Sequence, residues 1–197
     1  MRVVVLALLA VLTGRLAAPA AAAAQYHQVT DAIVVGGALG SAGSGAQRVT
    51  GGPEIGGLIE VPMGDALRVR GEAALGMWHF GANPYFGIAG IAMRRHRLTV
   101  SVLRSRFPPS PARRLAPYAG GGAGIYLYRF SSGPNGGAWG IHGVAGVEYL
   151  LRTMRSRWIA GGEVQLHAMA QPKAAGDVTW TPMIGTHVAI VLKYRLP

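Results

Sequence analysis

The amino-acid sequence predicts an all-β fold, a single eight-stranded antiparallel up-and-down transmembrane β-barrel. Strand-like runs alternate apolar and polar residues, the connections between them alternate long and short, and no later stretch has the 18 apolar residues of a membrane-spanning helix. The clearest run follows residues 131–137 and carries Trp139 and Tyr149 on its apolar face, 10 residues apart. That separation is about 33 Å along a strand, or about 25 Å in height at a tilt of roughly 40°, which matches the apolar band of a membrane barrel.

The N-terminus predicts export. Arg2 precedes an unbroken apolar run, Val3 to Leu12, and an alanine-rich segment follows. Ten apolar residues are too few to span a bilayer, so we expect residues 1–24 to be a signal peptide and residues 25–197 to be the barrel domain. The chain has no cysteine, which excludes a disulfide scaffold for an exported protein.

Eight runs with a period of two predict the strands, because successive side chains of a strand point to opposite faces. In chain order, the predicted strands are residues 32–41, 55–63, 66–79, 98–107, 116–130, 138–151, 158–168 and 182–196. The third run shows the contrast well, since Leu67, Leu75 and Met77 alternate with Arg70 and Trp78. We assign residues 81–97 to a loop, because a strand there would make nine and bacterial single-chain barrels use even numbers.

The connections also indicate a membrane barrel. Those at 42–54, 80–97, 131–137 and 168–181 are long, and those at 64–65, 108–115 and 152–157 are shorter. Long extracellular loops and short periplasmic turns alternate in this way in outer-membrane barrels.

Two sets of residues follow from the predicted faces. An interior network of four carboxylates and four bases is expected, because charges inside a barrel too narrow for water must pair. Its predicted members are Glu60, Arg68, Arg70, Glu72, Glu148, Glu163, Lys193 and Arg195. A girdle of outward aromatic side chains is expected at the membrane interfaces, formed by Trp139, Tyr149, Trp158 and Tyr194.

Residues 116–126, A-P-Y-A-G-G-G-A-G-I-Y, resemble the fifth strand of OmpA-like outer-membrane β-barrel proteins, typically P-Y-x-G-x-G-x-G-x-Y. Residues 146–149, G-V-E-Y, are similar to the end of the family's next strand, and Gly162-Glu163 to the acidic position of the seventh. The resemblance implies an eight-stranded closed barrel with both termini in the periplasm. The family usually ends on an aromatic residue that the assembly machinery reads, whereas this chain ends Leu196-Pro197.

Basic residues form separate patches along the chain, which has a formal net charge of +11. Arg94, Arg95 and Arg97 are expected at the outer rim, where they either contact lipid phosphates or form a solvated, snorkelling collar. A nucleic-acid partner is not expected, because the basic clusters are separated by whole strands and the chain is exported.

An enzyme is not expected, and no catalytic, cofactor or metal site is predicted. The barrel-type lipid A deacylases use Ser, His and Glu together, and here Glu163 and His167 share a strand face while His142 and Glu148 could lie near them. No serine stands two residues from these histidines, and Ser131 and Ser132 fall in a loop. No zinc-protease, dinucleotide or P-loop motif occurs.

We therefore expect an outer-membrane barrel with a structural, envelope-supporting or adhesive role and recognition in its extracellular loops. The expected partners are outer-membrane lipid and the barrel-assembly machinery, the latter through the C-terminal strand, and the barrel is expected to be a monomer. Three alternatives stay open: a narrow channel for small solutes, a lipid-modifying enzyme, and a soluble lipocalin-type carrier with its apolar face inward.

Overall fold

A computed structural model describes residues 30–42, 49–63, 66–80, 91–105, 114–131, 136–151, 158–170 and 182–195. The predicted signal peptide, residues 1–24, lies outside the described residues. The strands are β1 (Thr30–Ala42), β2 (Val49–Thr50), β3 (Pro53–Pro62), β4 (Leu67–Phe80), β5 (Ile91–Ser105), β6 (Leu115–Phe130), β7 (Gly136–Leu150), β8 (Trp158–Ala170) and β9 (Pro182–Arg195). In these ranges no helix is long and apolar enough to cross a membrane.

The strands form one closed antiparallel barrel. From β3 to β9 each strand pairs with the next, β1 pairs with β3, and β1 also pairs with β9 from Thr30↔Arg195 to Ala42↔Ile184. The two-residue β2 pairs with β1 and β4, the same two strands that flank β3, and it precedes β3 in the chain. Within the described ranges there are thus eight long strands, and closure leaves no free edge for unwanted pairing. The predicted fold class is confirmed.

Where side chains are described, the strands place most of their large apolar side chains outside and most of their charged side chains inside. In β7, Trp139 and Ile141 are exposed, whereas His142 and Glu148 are buried. This is the reverse of a soluble barrel, and it is the pattern of barrels whose outer face meets lipid and whose narrow interior must satisfy its own polar groups. The arrangement contradicts the lipocalin-type alternative, which requires the apolar face inward.

Strand β5 begins earlier than the sequence indicates. Residues 91–97, assigned above to a loop, pair with β4, from Ile91↔Phe80 to Arg97↔Ala74. Met93, Arg95 and Arg97 point inward and are buried. The segment lengthens the next strand instead of adding a ninth long one, so the even count is preserved.

Glycine at alternate positions of β6 allows close contact with β5. A Cβ atom added to Gly120 would lie 2.1 Å from the carbonyl oxygen of Val102, and one added to Gly122 would lie 1.9 Å from that of Val100. Any side chain at these inward positions would displace the backbone of the neighbouring strand. The glycine-rich run of residues 120–124 therefore has a packing role in this barrel.

The barrel has two ends, a termini end and a far end. The termini end contains Thr30 of β1 and Arg195 of β9. The far end is the opposite one, joined by the connections at 43–48, 81–90, 132–135 and 171–181, which lie outside the described residues.

Candidate functional site

The interior of the barrel contains a balanced set of charges. Among the side chains that the structure describes, five carboxylates and five bases make ion pairs inside the barrel. They are Glu54, Glu60, Glu72, Glu148 and Glu163 with Arg68, Arg70, Arg95, Arg97 and Lys193. We call these ten residues the interior network.

At the termini end, two carboxylates share three cations. Glu60 accepts hydrogen bonds from Arg68 at 2.9 Å, from Arg70 at 2.8 Å and from Lys193 at 2.6 Å. Glu148 accepts from Arg68 at 2.7 Å and from Lys193 at 2.6 Å. Because each charge has at least one opposite partner at contact distance, burial does not leave an isolated ion.

A tyrosine and a glutamine connect the two halves of the interior network. Arg70 donates to Glu163 at 2.7 Å, and the hydroxyl of Tyr118 donates to the same carboxylate. The amide of Gln165 donates to Glu163 at 2.6 Å and to Glu72 at 3.2 Å. The polar groups therefore form a continuous chain through the middle of the barrel.

Toward the far end, two arginines of β5 surround Glu54. Arg95 and Arg97 each donate to Glu54 at 2.7 Å, and Arg97 also donates to Glu72. The Arg95 guanidinium lies 4.0 Å from the ring centroid of Trp78, a cation–π geometry. Each arginine donates through one nitrogen to a different oxygen of Glu54, and hydrogen bonds between two charged groups are stronger than neutral ones.

An apolar cluster lies inside the barrel, beyond Arg95 toward the far end. Its buried members come from β4, β5, β6, β7 and β8 and include the fully buried Trp78. They are Trp78, Met93, Tyr126, Tyr128, Ala138 and Met169. The Tyr128 hydroxyl donates to the sulfur of Met169 at 3.0 Å, so even the polar atom of this ring has a partner. The cluster places apolar side chains from five strands in this part of the lumen.

Three histidines lie side by side in the middle of the interior. The ring centroids of His142 and His167 are 5.2 Å apart, and those of His167 and His187 are 4.7 Å apart. Nδ1 of His167 is 2.7 Å from the hydroxyl of Tyr126. No group of three or more His, Cys, Asp or Glu residues in the described part of the chain is arranged to hold a metal ion.

One serine–histidine contact is present, and it differs from a hydrolytic site. Ser101 Oγ lies 2.7 Å from His142 Nε2, but Ser101 is only 2% exposed and lies inside the barrel. Nδ1 of His142 makes no hydrogen bond to any described residue, so no carboxylate orients the ring as a catalytic base requires. The contact between Ser101 and His142 is not apparent from the sequence, because β5 and β7 are far apart in the chain.

A small cavity remains beside the interior network. It has a volume of about 10 Å³ and is lined by Glu54, Arg97, Gln165 and His187 together with small residues of β1, β3, β4 and β9. A space of this size holds about one water molecule. It is much too small for a substrate.

The structure places seven of the eight predicted interior charges in the interior network. Six are buried and Arg68 is partly exposed, whereas the side chain of Arg195 lies outside the described residues. An interior position was not predicted from the sequence for three members of the network, Glu54, Arg95 and Arg97. Continuing the alternation of β5 back from Ser101 would have found the two arginines.

The predicted aromatic girdle lies on the outer surface. Trp139 is 72% exposed, and Tyr149 and Trp158 are also exposed at the other end of their strands. The rings of Trp158 and Tyr194 are in contact, with centroids 5.0 Å apart. These side chains are positioned to mark both edges of the apolar surface.

The arginine cluster predicted at the outer rim is divided by the structure. Arg94 is exposed on the outside of β5, whereas Arg95 and Arg97 are buried in the interior network. The prediction that all three lie at the outer rim is therefore corrected for Arg95 and Arg97. They face the lumen because a strand, unlike a loop, sends alternate side chains to opposite faces.

No protein-family model matches the chain, and no curated protein sequence matches it. Solved structures do match. The outer-membrane protein OprG from Pseudomonas aeruginosa is 16% identical, with a TM-score of 0.60 over 86% of this chain and 97% of that chain. Neisserial surface protein A is 11% identical, with a TM-score of 0.58 over 85% of this chain and 96% of that chain. The likeness shows that the chain has the fold of small outer-membrane β-barrels.

Proposed function

We propose that the protein is an outer-membrane β-barrel that serves as a rigid scaffold, with a structural, envelope-supporting or adhesive role. Its recognition surface is assigned to the connections at the far end, 43–48, 81–90, 132–135 and 171–181. Connections on a rigid set of strands are where binding specificity usually lies. The proposal includes export by the N-terminal segment, assembly through β9 and action as a monomer.

The observation that carries this proposal is the filled and charge-balanced interior. Arg97 contacts both Glu54 and Glu72, and the fully buried Trp78 lies beyond them toward the far end. An open ion pathway needs an unpaired polar lining and room for water, whereas this lumen holds paired ions under an apolar cluster. The geometry therefore favours a scaffold over a channel.

The test of the scaffold proposal combines location with barrel closure. Membrane fractions are separated, and unboiled and boiled samples are compared on a denaturing gel. We expect the protein in the outer membrane, with a faster-migrating unboiled band. A soluble periplasmic protein with no shift contradicts the proposal.

Conductance separates the scaffold from a narrow channel. We expect the purified protein to be silent in planar bilayers. The double variant Arg95→Ala/Arg97→Ala, selected for an intact heat-shifted band, is expected to pass small currents that prefer cations, because Glu54 and Glu72 lose their counter-charges. Steady currents from the unaltered protein at low voltage favour the channel instead.

A further inference from the structure

Two arginines face each other on the outside of the barrel. Arg94 of β5 and Arg129 of β6 are directly paired in the ladder, and both side chains are exposed. Like charges at paired positions of neighbouring strands are destabilising unless something between them is negative. His96 lies two residues from Arg94 on the same outward face and adds a third nitrogen-bearing side chain.

The pair lies at the edge of the apolar surface. Toward the termini end, the next outward residues are His96 and then Leu98 on β5, and Leu127 and then Ile125 on β6, all of these leucine and isoleucine side chains being exposed. On the β4 side, Arg94 pairs with the exposed Met77. Since the apolar surface ends at this level, the guanidinium groups stand where lipid headgroups begin.

The protein provides no outward carboxylate to neutralise this pair among the side chains that the structure describes. Every described glutamate belongs to the interior network. Five of the eight acidic and five of the nineteen basic residues of the chain are in that network, so the whole formal net charge of +11 lies outside it. Among the described side chains no carboxylate is therefore available to this pair, and an anion from the surroundings can occupy the position between the two guanidinium groups.

We propose that Arg94 and Arg129, assisted by His96, bind the phosphate of an anionic membrane lipid at the far end of the barrel. The planar guanidinium group matches phosphate oxygens in a bidentate manner, and two such groups side by side form a clamp. The neighbouring apolar side chains accommodate the acyl chains of the same lipid. This inference rests on the proposed membrane location of the barrel.

The test measures retained lipid by native mass spectrometry of the full-length barrel in detergent, titrated with phosphatidylglycerol or phosphatidylcholine. We expect one phosphatidylglycerol to bind in preference to phosphatidylcholine. Arg94→Gln/Arg129→Gln is expected to weaken this binding about 30-fold, because each arginine near an anionic surface contributes about fivefold. Arg94→Lys/Arg129→Lys keeps the positive charge but lacks the planar guanidinium groups. Its affinity for phosphatidylglycerol is expected to be intermediate.

Arg104→Gln is the matched control, because Arg104 is also exposed on the outside of β5 but pairs with Ala119 and Leu67 instead of another arginine. We expect it to retain the lipid as the unaltered protein does. Equal retention by the Arg94/Arg129 variants overturns the proposal, as does displacement of the lipid by millimolar inorganic phosphate, which identifies a free-phosphate site. Because the heat-shifted band is measured on the same samples, loss of the barrel is distinguished from loss of the lipid site.

Discussion

Glu60→Gln is the most informative single change in the barrel interior. Glu60 is 1% exposed, and its two oxygens accept from Arg68, Arg70 and Lys193 at 2.6 to 2.9 Å. Glutamine has nearly the same shape, but it is neutral and turns a donor amide toward a cation. The substitution therefore tests the charge of the interior network and not its packing.

The expected loss in the free energy of unfolding depends on which carboxylate partners each cation keeps in Glu60→Gln. Arg68 and Lys193 keep Glu148, and Arg70 keeps Glu163, so no cation is left without a partner. Five bases then face four carboxylates in a buried space. Breaking one partner of a buried ion pair costs about 3–5 kcal/mol, and the retained contacts place the expected loss near the lower end, at about 3 kcal/mol.

The assay is reversible urea unfolding of the barrel in lipid vesicles, followed by tryptophan fluorescence and by the heat-shifted gel band. A lower midpoint with an unchanged m-value reports lost stability without a change in the surface that unfolds. Glu60→Gln/Lys193→Met restores four bases against four carboxylates. It is expected to recover more than half of the loss, because replacing both partners of a buried pair is often close to neutral.

Two results would refute this reasoning. One is a loss in Glu60→Gln of less than about 1 kcal/mol, which is the range of an ordinary neutral hydrogen bond. The other is a double variant that is less stable than Glu60→Gln alone, since then charge balance does not govern the interior.

Two further predictions concern packing and the middle of the interior network. Gly122→Val is expected to abolish the heat-shifted band, because a Cβ there would lie 1.9 Å from a carbonyl oxygen of β5, whereas Gly162→Ala, with nothing within 4 Å, is expected to leave the band unchanged. A normal band for Gly122→Val would contradict the close contact of β5 and β6. Tyr118→Phe is expected to lower the free energy of unfolding by about 1–3 kcal/mol, because it removes the buried hydroxyl that donates to Glu163. Tyr149→Phe, on the exposed outer surface, is the control in the same urea assay, and equal effects of the two changes would argue against a role for the buried hydroxyl.

Periodicity in the sequence was sufficient where the outward face of a strand is apolar and the inward face carries the polar side chains. In β4, Leu75 and Met77 lie outside and Trp78 lies inside, as their alternation predicts. The contrast is local to each strand, because the lipid requires apolar side chains at every second position. For this reason the fold class and most of the outward faces could be predicted without any knowledge of neighbouring strands.

Alternation of apolar and polar residues did not identify the start of β5 as a strand. Arg94 and His96 lie outside while Arg95 and Arg97 lie inside, so both faces are polar and no apolar period remains. What makes this segment a strand is its pairing with β4 and the carboxylate of Glu54, which is separated by 41 residues from Arg95. Contacts between residues so far apart in the chain cannot be predicted from a pattern that compares only residues close together in the sequence.

Several contacts of the interior network join strands that are not neighbours in the barrel. Arg68 of β4 reaches Glu148 of β7, Arg70 of β4 reaches Glu163 of β8, and Lys193 of β9 reaches Glu148. Such contacts exist only while opposite walls are close together, so widening the lumen for a solute would break several of them at once. Glu148 and Glu163 would then lose the cations that pair with them, and an uncompensated buried charge costs several kcal/mol. A barrel held across its lumen in this way resists opening and keeps its strand ends in fixed positions, and these are the properties required of a scaffold for the far-end connections.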